Sequence, residues 1–299
     1  MKKVLFVSCL ALMLGFVSCN KNIETDKADA SFIRFSLGGE FAAMTKGASE
    51  VTTGNLSSIY VNATTGTSGA EVTTAPGFAN VVFSKSGDNF VANQYWPNSN
   101  PSYHFYASNV SLTHGASGAT VSPADASTDI VVGYIASPTY KESNALTLGH
   151  IFCQVGTCTI TGPDNYTVSN LKVSLQPKTS GTYNLQSGSW TSVGSAGAAT
   201  YILGTAGEGV SIASAGGNVA SGDNDLWLVP GEYTLTASYN ETRGDYTSNT
   251  ITQTCNVTLV QGRNNNIVGK ITADTATGII FTVVVTPWSD NNINAGNFS

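Results

Sequence analysis

Short runs of alternating apolar and polar residues fill this sequence, and that alternation most limits what the chain can fold into. Ile33, Phe35 and Leu37 share one face of such a run, and residues 251–260 alternate in the same way. A period of two is typical of half-buried strands. Beyond residue 18, no segment keeps the apolar spacing of an amphipathic helix. Short strands separated by turn residues predict an all-β fold built from two sandwich domains.

The composition agrees with strands and turns. Only 11% of the residues are charged and 31 are glycine, which favours strands joined by glycine-rich turns over helices with many ion pairs. The formal net charge of −6 becomes more negative if Lys2 and Lys3 are removed with a signal segment. Such a chain lacks the basic face that nucleic acids require, so we expect no nucleic-acid partner.

The N-terminus reads as a secretion signal that ends at a cysteine. Lys2 and Lys3 precede an apolar run over residues 4–17, and Ser18 and Cys19 follow. The apolar run is too short to span a bilayer comfortably, and its basic start is typical of a signal peptide. The junction resembles a bacterial lipobox, in which the cut falls before the cysteine and its thiol is lipidated. The alternative is an ordinary secreted protein in which Cys19 is incidental.

The rest of the chain divides by its turn signals. Residues 1–18 are the predicted lipoprotein signal peptide, and residues 19–30 are polar and form a predicted flexible tether. The strongest central turn cluster, residues 162–165, has the sequence Gly-Pro-Asp-Asn. We therefore expect an N-terminal β-sandwich over residues 31–162 and a C-terminal β-sandwich over residues 163–299.

Two local elements stand out within these domains. The runs at residues 79–83 and 89–92 flank Gly87 and Asp88, which predicts a β-hairpin. Trp96 is followed by Pro97, which cannot donate to an inner ladder and so ends the second strand.

No constellation of residues in the sequence indicates catalysis, a metal or a cofactor. His104 lies among aromatics and His150 among leucines, so both are interpreted as packed structural side chains, whereas His114 is expected in an exposed loop. No two histidines have ligand spacing, and no nucleophile elbow or phosphate loop is present. Three cysteines follow Cys19 in the sequence: Cys153, Cys158 and Cys255. Because three is an odd number, at least one of them has no partner within the chain, and no obligatory disulfide is expected. We therefore predict a protein that is not an enzyme.

Several landmarks then occur in a fixed order along the chain. They are the lipoprotein signal, Thr45-Lys46-Gly47 after the first strand, Tyr95-Trp96-Pro97 before residues 103–107, Leu146 to His150, Gly181 to Asn184, Trp227 to Pro230, Leu259 to Gly262, and a last strand ending at Trp288. In this order they resemble the fimbrillin family (Mfa-like proteins) of Bacteroidota. The resemblance covers nearly the whole chain.

The resemblance implies a surface lipoprotein of the outer membrane that is a subunit of type V fimbriae, with two transthyretin-like β-sandwich domains. In that family a protease cuts after a basic residue and removes an N-terminal piece. A strand from the next subunit then fills the groove. The candidate basic residues here are Lys46 and Arg34.

The implied partners are other fimbrial subunits, joined by strand addition, the membrane, reached through lipid on Cys19, and a receptor on a host or bacterial surface. The tail over residues 289–299 is polar and lacks the alternation of a donor strand. It therefore favours a tip, anchor or accessory subunit over a repeating shaft subunit.

The alternative function is a surface-tethered glycan-binding lipoprotein of a nutrient-uptake system. Exposed Trp190 or Trp227 would then stack on sugar rings. Both tryptophans also stand beside apolar alternation, which is typical of core aromatics.

The lipid anchor gives a direct prediction. Metabolic labelling with a palmitate analogue should mark the wild-type protein and should not mark Cys19→Ala, because the substitution removes the thiol that carries the acyl chains. Equal labelling of the two proteins would contradict lipidation at Cys19.

Overall fold

The structure is a computed structural model, and it describes thirteen segments of the chain: residues 32–38, 51–65, 77–96, 103–115, 117–123, 126–161, 167–197, 201–202, 210–212, 217–218, 226–243, 245–271 and 279–287. The predicted signal, the tether, Cys19, Lys46 and the tail after residue 288 lie outside these segments.

Every regular element in these segments is a β-strand, so the all-β prediction is confirmed. The first eleven strands are β1 (Phe32–Leu37), β2 (Ser58–Thr65), β3 (Phe78–Ser86), β4 (Asn89–Tyr95), β5 (Tyr103–Ser108), β6 (Thr113–Gly115), β7 (Gly118–Val121), β8 (Val131–Ile135), β9 (Ser143–Leu146), β10 (Gly149–His150) and β11 (Cys153–Thr161). The other twelve are β12 (Thr167–Leu175), β13 (Gly181–Asn184), β14 (Ser189–Val193), β15 (Tyr201–Ile202), β16 (Val210–Ile212), β17 (Gly217–Asn218), β18 (Leu226–Leu228), β19 (Gly231–Arg243), β20 (Tyr246–Thr247), β21 (Ile251–Leu259), β22 (Arg263–Ile271) and β23 (Ile279–Pro287). Within the described segments, no helix is long and apolar enough to cross a bilayer.

An eight-stranded sheet contains most of the first half of the chain. Its strand order is β10-β8-β5-β2-β3-β4-β1-β9. The predicted hairpin is confirmed as β3 and β4, and Gly87 at its turn has a φ of 59°, which glycine adopts without a steric penalty. The inward faces of these strands form the first core, whose largest fully buried members are Phe35, Phe83, Phe90 and Phe105.

Two further sheets contain most of the second half. One pairs β17, β11, β22 and β23, with β18 also on β11, and the other is centred on β12 and β19. On β21, Ile251, Cys255 and Leu259 lie on the less exposed face, as the alternation predicts. The inward faces form a second core that includes Val173, Leu235 and Ile267.

Strand pairing groups β11 with the second half of the chain. It runs parallel to β22, and Cys153, Val155 and Cys158 belong to the second core. The predicted boundary after residue 162 follows β11, whereas the change of core comes before Cys153. Sequence reasoning placed the division at the strongest turn signal, and this parallel partner lies too far along the chain to be seen locally. The division into two separate domains stays a prediction.

A small four-stranded sheet joins the two halves. Its order is β14-β13-β7-β6, so two strands come from the first half and two from the second. Beneath it lies a third core, which contains Tyr106, Phe152, Tyr183 and Trp227. A shared sheet with its own core couples the halves more firmly than a linker would.

A buried histidine and aspartate lie at this junction. His150 Nδ1 is 2.9 Å from Asp129 Oδ1, and the Trp227 ring stacks on the imidazole at 5.9 Å with an interplanar angle of 7°. The second carboxylate oxygen of Asp129 accepts a hydrogen bond from the Val51 backbone N–H at 2.9 Å. The interpretation of His150 as a hydrogen-bonded structural side chain is therefore confirmed.

The three described cysteines are free thiols, in agreement with the expectation of no obligatory disulfide. Burial raises the pKa of the Cys153 thiol to about 12 and that of Cys158 to about 12 as well. Both therefore stay protonated at neutral pH and act as small core side chains.

One glycine tests the shared sheet. Gly118 has a φ of 132°, and a Cβ added there would lie 2.7 Å from the Tyr183 carbonyl carbon on β13. We expect Gly118→Ala to lower the free energy of unfolding by about 2–4 kcal/mol, from backbone strain plus overpacking. Gly149→Ala is the control, because no atom lies within 4 Å of its added Cβ. Chemical denaturation measures both, and equal stabilities would contradict the close approach of β7 and β13.

Candidate functional site

The strand β1 is held between two neighbours that do not otherwise pair. It runs antiparallel to β4, with Phe35 opposite Phe90, and parallel to β9, with Phe35 opposite Asn144. In the sheet order, β9 joins the other strands through β1. This one strand therefore completes two ladders.

The alternation seen in the sequence fixes which face of β1 is buried. Ile33 and Phe35 are 1% and 0% exposed. The Phe35 ring meets Phe83 and Phe105 edge-on, at centroid distances of 5.1 and 5.0 Å. Burial of such side chains is worth about 1.5–3 kcal/mol each, so the inward face of β1 holds the strand in place.

Without β1, β4 and β9 would face each other as two unpaired strand edges. Beneath them would lie the rings of Phe83 and Phe105, which we call the apolar floor of the slot. A six-residue strand spans about 20 Å, which sets the length of this slot. On its rim, the Ser143 hydroxyl on β9 donates to Asn89 Oδ1 on β4 at 2.6 Å, which joins the two flanking strands directly. We call the space between β4 and β9 that β1 fills the β1 slot.

The chain is fixed at two points on either side of the segment that contains Lys46. At the end of β1, the Gly38 N–H donates to the Leu146 carbonyl at 2.9 Å. At residue 51 the chain is fixed again by the Val51–Asp129 hydrogen bond. Residues 39–50 connect these two points and lie outside the described segments. A cut there would leave β1 held by the two ladders and its side chains alone.

The second candidate cleavage residue, Arg34, lies in the middle of β1. Its Cα is opposite Val91 on β4 and Ser143 on β9. A protease needs an extended chain free of ladders on both sides, so cleavage after Arg34 requires β1 to leave the sheet first. The structure thus places Arg34 inside the slot itself.

The two tryptophans proposed as sugar platforms are structural. Trp227 is fully buried against His150, and Trp190 packs on Phe152 and Tyr183 with its Nε1 donating to the Ile151 carbonyl at 3.0 Å. Trp227 is therefore a core aromatic, as interpreted, and has no ring face open for stacking, whereas Trp190 is half-buried and packs against the third core.

The other two histidines are also engaged in packing. His104 Nδ1 is 2.7 Å from the Tyr134 hydroxyl, in agreement with its interpretation as a packed side chain. The prediction of an exposed loop was wrong for His114, which lies on β6 beside Tyr106. Burial lowers the pKa of His114 to about 4. Among the described residues, no group of His, Cys, Asp or Glu could hold a metal ion.

Sequence reasoning found β1 but missed β9. The short run Ser143–Leu146 has burial that alternates like a strand, yet a four-residue run carries little signal and its parallel partner lies far away in the sequence. Asn89 and Ser143 were likewise missed, because neither residue type indicates its function until the fold brings the two together.

The aromatic floor of the slot can be tested in the uncut chain. Phe35→Ala should lower the free energy of unfolding by about 3–5 kcal/mol and speed hydrogen exchange on β4 and β9. Ser36→Ala, on the outer face of the same strand, is the matched control and should change both little. If the two variants exchange at the same rate on β9, then Phe35 does not hold β1.

Comparison with known proteins identifies the family. The family model described as Fimbrillin-like matches residues 43–288, so the match begins after β1. No curated protein matches the chain. A fimbrial protein from Bacteroides vulgatus has a similar structure, with a TM-score of 0.54 and 13% identity over 87% of this chain and 100% of that one.

Two further solved structures have lower TM-scores. A candidate cell adhesion protein from Bacteroides uniformis has a TM-score of 0.44 and 14% identity over 88% of this chain and 99% of its own. A fimbrial assembly protein from Parabacteroides distasonis has a TM-score of 0.39 and 9% identity over 85% and 99%. At these identities the solved structures bear on the fold alone, and the family rests on the match over residues 43–288. The chain belongs to the fimbrillin-like family.

Proposed function

We propose that this protein is a surface subunit of a fimbria that joins its neighbours by strand exchange at the β1 slot. The observation that carries the proposal is the position of β1, which forms ladders with both β4 and β9 and buries Ile33 and Phe35. Extended segments bind readily where a sheet offers an unpaired edge. Here one departing strand would expose two such edges and an apolar floor.

The intact chain is the closed form in this proposal. While the segment 39–50 is uncut, β1 is a tethered occupant at high effective concentration, and a strand from another subunit cannot compete. Cleavage after Lys46 would turn β1 into a separate peptide that can be replaced. The Val51–Asp129 hydrogen bond would keep the new N-terminal region of the body in place.

Lys46 is preferred over Arg34 as the cleavage site. Cutting after Lys46 releases all of β1, whereas cutting after Arg34 leaves its C-terminal half, including Phe35, in the slot. Arg34 is also paired on both sides. Lys46 lies in the connection between the two fixed points and outside β1.

The proposed location follows from the N-terminus. Before cleavage, lipid on Cys19 would hold the uncut protein at the outer membrane, and the polar tether over residues 19–30 would separate the sandwich body from the lipid. Cleavage after Lys46 would separate the body from this lipid, so the anchor belongs to the uncut form. Because the tail over residues 289–299 lacks apolar alternation, we place the subunit at the tip or base of a fimbria, or as an accessory, rather than in its shaft. Its function there would be adhesion to a host or bacterial surface receptor.

Proteolysis tests the proposal. Limited trypsin treatment, followed by removal of the protease, should convert the monomer into a form that binds a labelled peptide copying residues 31–38. Lys46→Ala should block this conversion. A matched peptide carrying Phe35→Ala should bind at least about tenfold more weakly, because it lacks the ring that fills the aromatic floor.

The control protein carries both Lys46→Ala and Arg34→Ala. If this uncut protein takes up the peptide, or assembles with other subunits, as well as the trypsin-treated wild type does, strand replacement is not how the subunit joins its neighbours. The remaining interpretation would then be a monomeric lipid-anchored adhesin.

A further inference from the structure

A second opening lies in the other half of the molecule, where β12 and β19 separate. Their antiparallel ladder ends at Ser174 opposite Thr236. Beyond that pair, β12 ends at Leu175, which pairs with β15 on its other edge, while β19 continues to pair with β21 as far as Gly231. The separation leaves a cleft of about 540 Å³ between the end of β12 and the start of β19.

The backbone edge of β19 that faces this cleft is capped at two carbonyls. The Ser174 hydroxyl donates to the Thr236 carbonyl at 3.3 Å, and Lys178 Nζ donates to the Glu232 carbonyl at 2.9 Å. Backbone groups of alternate residues point the same way along a strand, so those of Thr234 between them also point into the cleft. The edge is thus closed at both ends by side chains.

The side chains lining the cleft mix hydrogen-bond donors and acceptors. Ser174, Thr234 and Thr236 contribute hydroxyls, Gln176 an amide, Lys178 an ammonium group and Glu232 a carboxylate. The Ser174 hydroxyl already donates to the Thr236 carbonyl and the Thr234 hydroxyl to Asn256 Oδ1 at 2.9 Å, so these two hydroxyls meet a ligand as acceptors. Hydroxyls and amides both donate and accept, whereas the ammonium group only donates and the carboxylate only accepts. Two opposite charges in one cleft leave no net charge to select an ion.

We propose that this cleft binds a neutral saccharide unit. A sugar presents closely spaced hydroxyls that each donate and accept, which suits a wall of hydroxyls, an amide, one donor-only and one acceptor-only group. The volume lies within the range of roughly 300–1,000 Å³ usual for small-ligand sites. An anionic ligand would face Glu232 and a cationic one Lys178, so a neutral polyol meets the least repulsion.

An added peptide strand fits the cleft less well. Strand addition requires a run of open backbone acceptors and donors, and a lysine across an edge strand blocks such pairing. The two capped carbonyls leave too short a run between them. Recognition here therefore falls to side chains, in contrast to the β1 slot.

The site is expected to bind weakly as a single copy. Tyr233 is buried beneath Lys178 Nζ, which lies 5.0 Å from the ring centroid, so no aromatic face is open for a sugar to stack on. A polar contact with the sugar replaces a contact with water, so each one adds only a modest net free energy of binding. Many copies on one cell surface would raise the overall affinity through avidity.

The test uses the uncut chain beginning at residue 20, isotopically labelled, and titrates it with neutral methyl glycosides of glucose, galactose, mannose, fucose and N-acetylglucosamine. We expect saturable amide shifts at residues 174–178 and 232–236 for at least one of them. Gln176→Leu and Thr234→Val should each weaken that binding about tenfold. Thr252→Val, on the exposed face of β21 outside the cleft, is the matched control and should leave it unchanged.

Three results would overturn the proposal. They are saturation by none of the glycosides, binding that Gln176→Leu and Thr234→Val leave intact while their melting temperatures match the wild type, and tighter binding of an anionic sialic acid glycoside than of any neutral one. Because the chain is uncut and Lys46 is unchanged, the result is independent of strand exchange at the β1 slot.

Discussion

The insertion of β1 between β4 and β9 is the constraint on which the first half of the structure depends. One strand supplies backbone partners to two others and places Phe35 among the rings of Phe83 and Phe105. Most edge strands can be lost at the cost of one ladder, but β1 completes two. A sheet built in this way is closed by β1 and would present two unpaired edges without it.

Loss of β1 need not unfold the molecule, because its side chains belong to only one of three cores. Ile33 and Phe35 lie in the first core, and no residue of β1 belongs to the second or third. The third core and the shared sheet join the halves through β6, β7, β13 and β14, whereas the ladders of β1 are with β4 and β9. The buried Asp129 carboxylate supports the same separation, because it fixes Val51 and His150 on the body side of the connection.

Local features were predicted well from the sequence, and long-range pairings were not. The β3–β4 hairpin follows from alternation and a turn at Gly87, both of which are readable within a few residues. The parallel pairings of β11 with β22 and of β1 with β9 leave no local signal. The amino-acid pattern of a strand does not indicate which distant strand it pairs with. The boundary at residue 162 was therefore set by a strong turn, while β11 already belonged to the second core.

The same limit explains what was missed at the sites. Trp227 was recognised as a core aromatic, but its stacking on His150 required the fold to bring the two halves together. His114 was expected in a loop because Gly115 follows it, and the short strand β6 exists only through pairing with β7. No sequence pattern marks Ser174, Lys178 or Glu232 as part of a site, because only the fold brings them together where β12 and β19 separate.

The two openings illustrate how a sheet can keep assembly and recognition apart. In the β1 slot, bare strand edges and an apolar floor would bind any extended segment with the right alternation, so geometry matters more than chemistry. In the β12–β19 cleft, Ser174 and Lys178 close the edge, and the remaining groups are side chains that can change without disturbing a ladder. A substitution in the cleft therefore alters what is recognised while the slot keeps its fit. With strand exchange at the slot and recognition in the cleft, related subunits would share one mode of assembly and differ in what they bind.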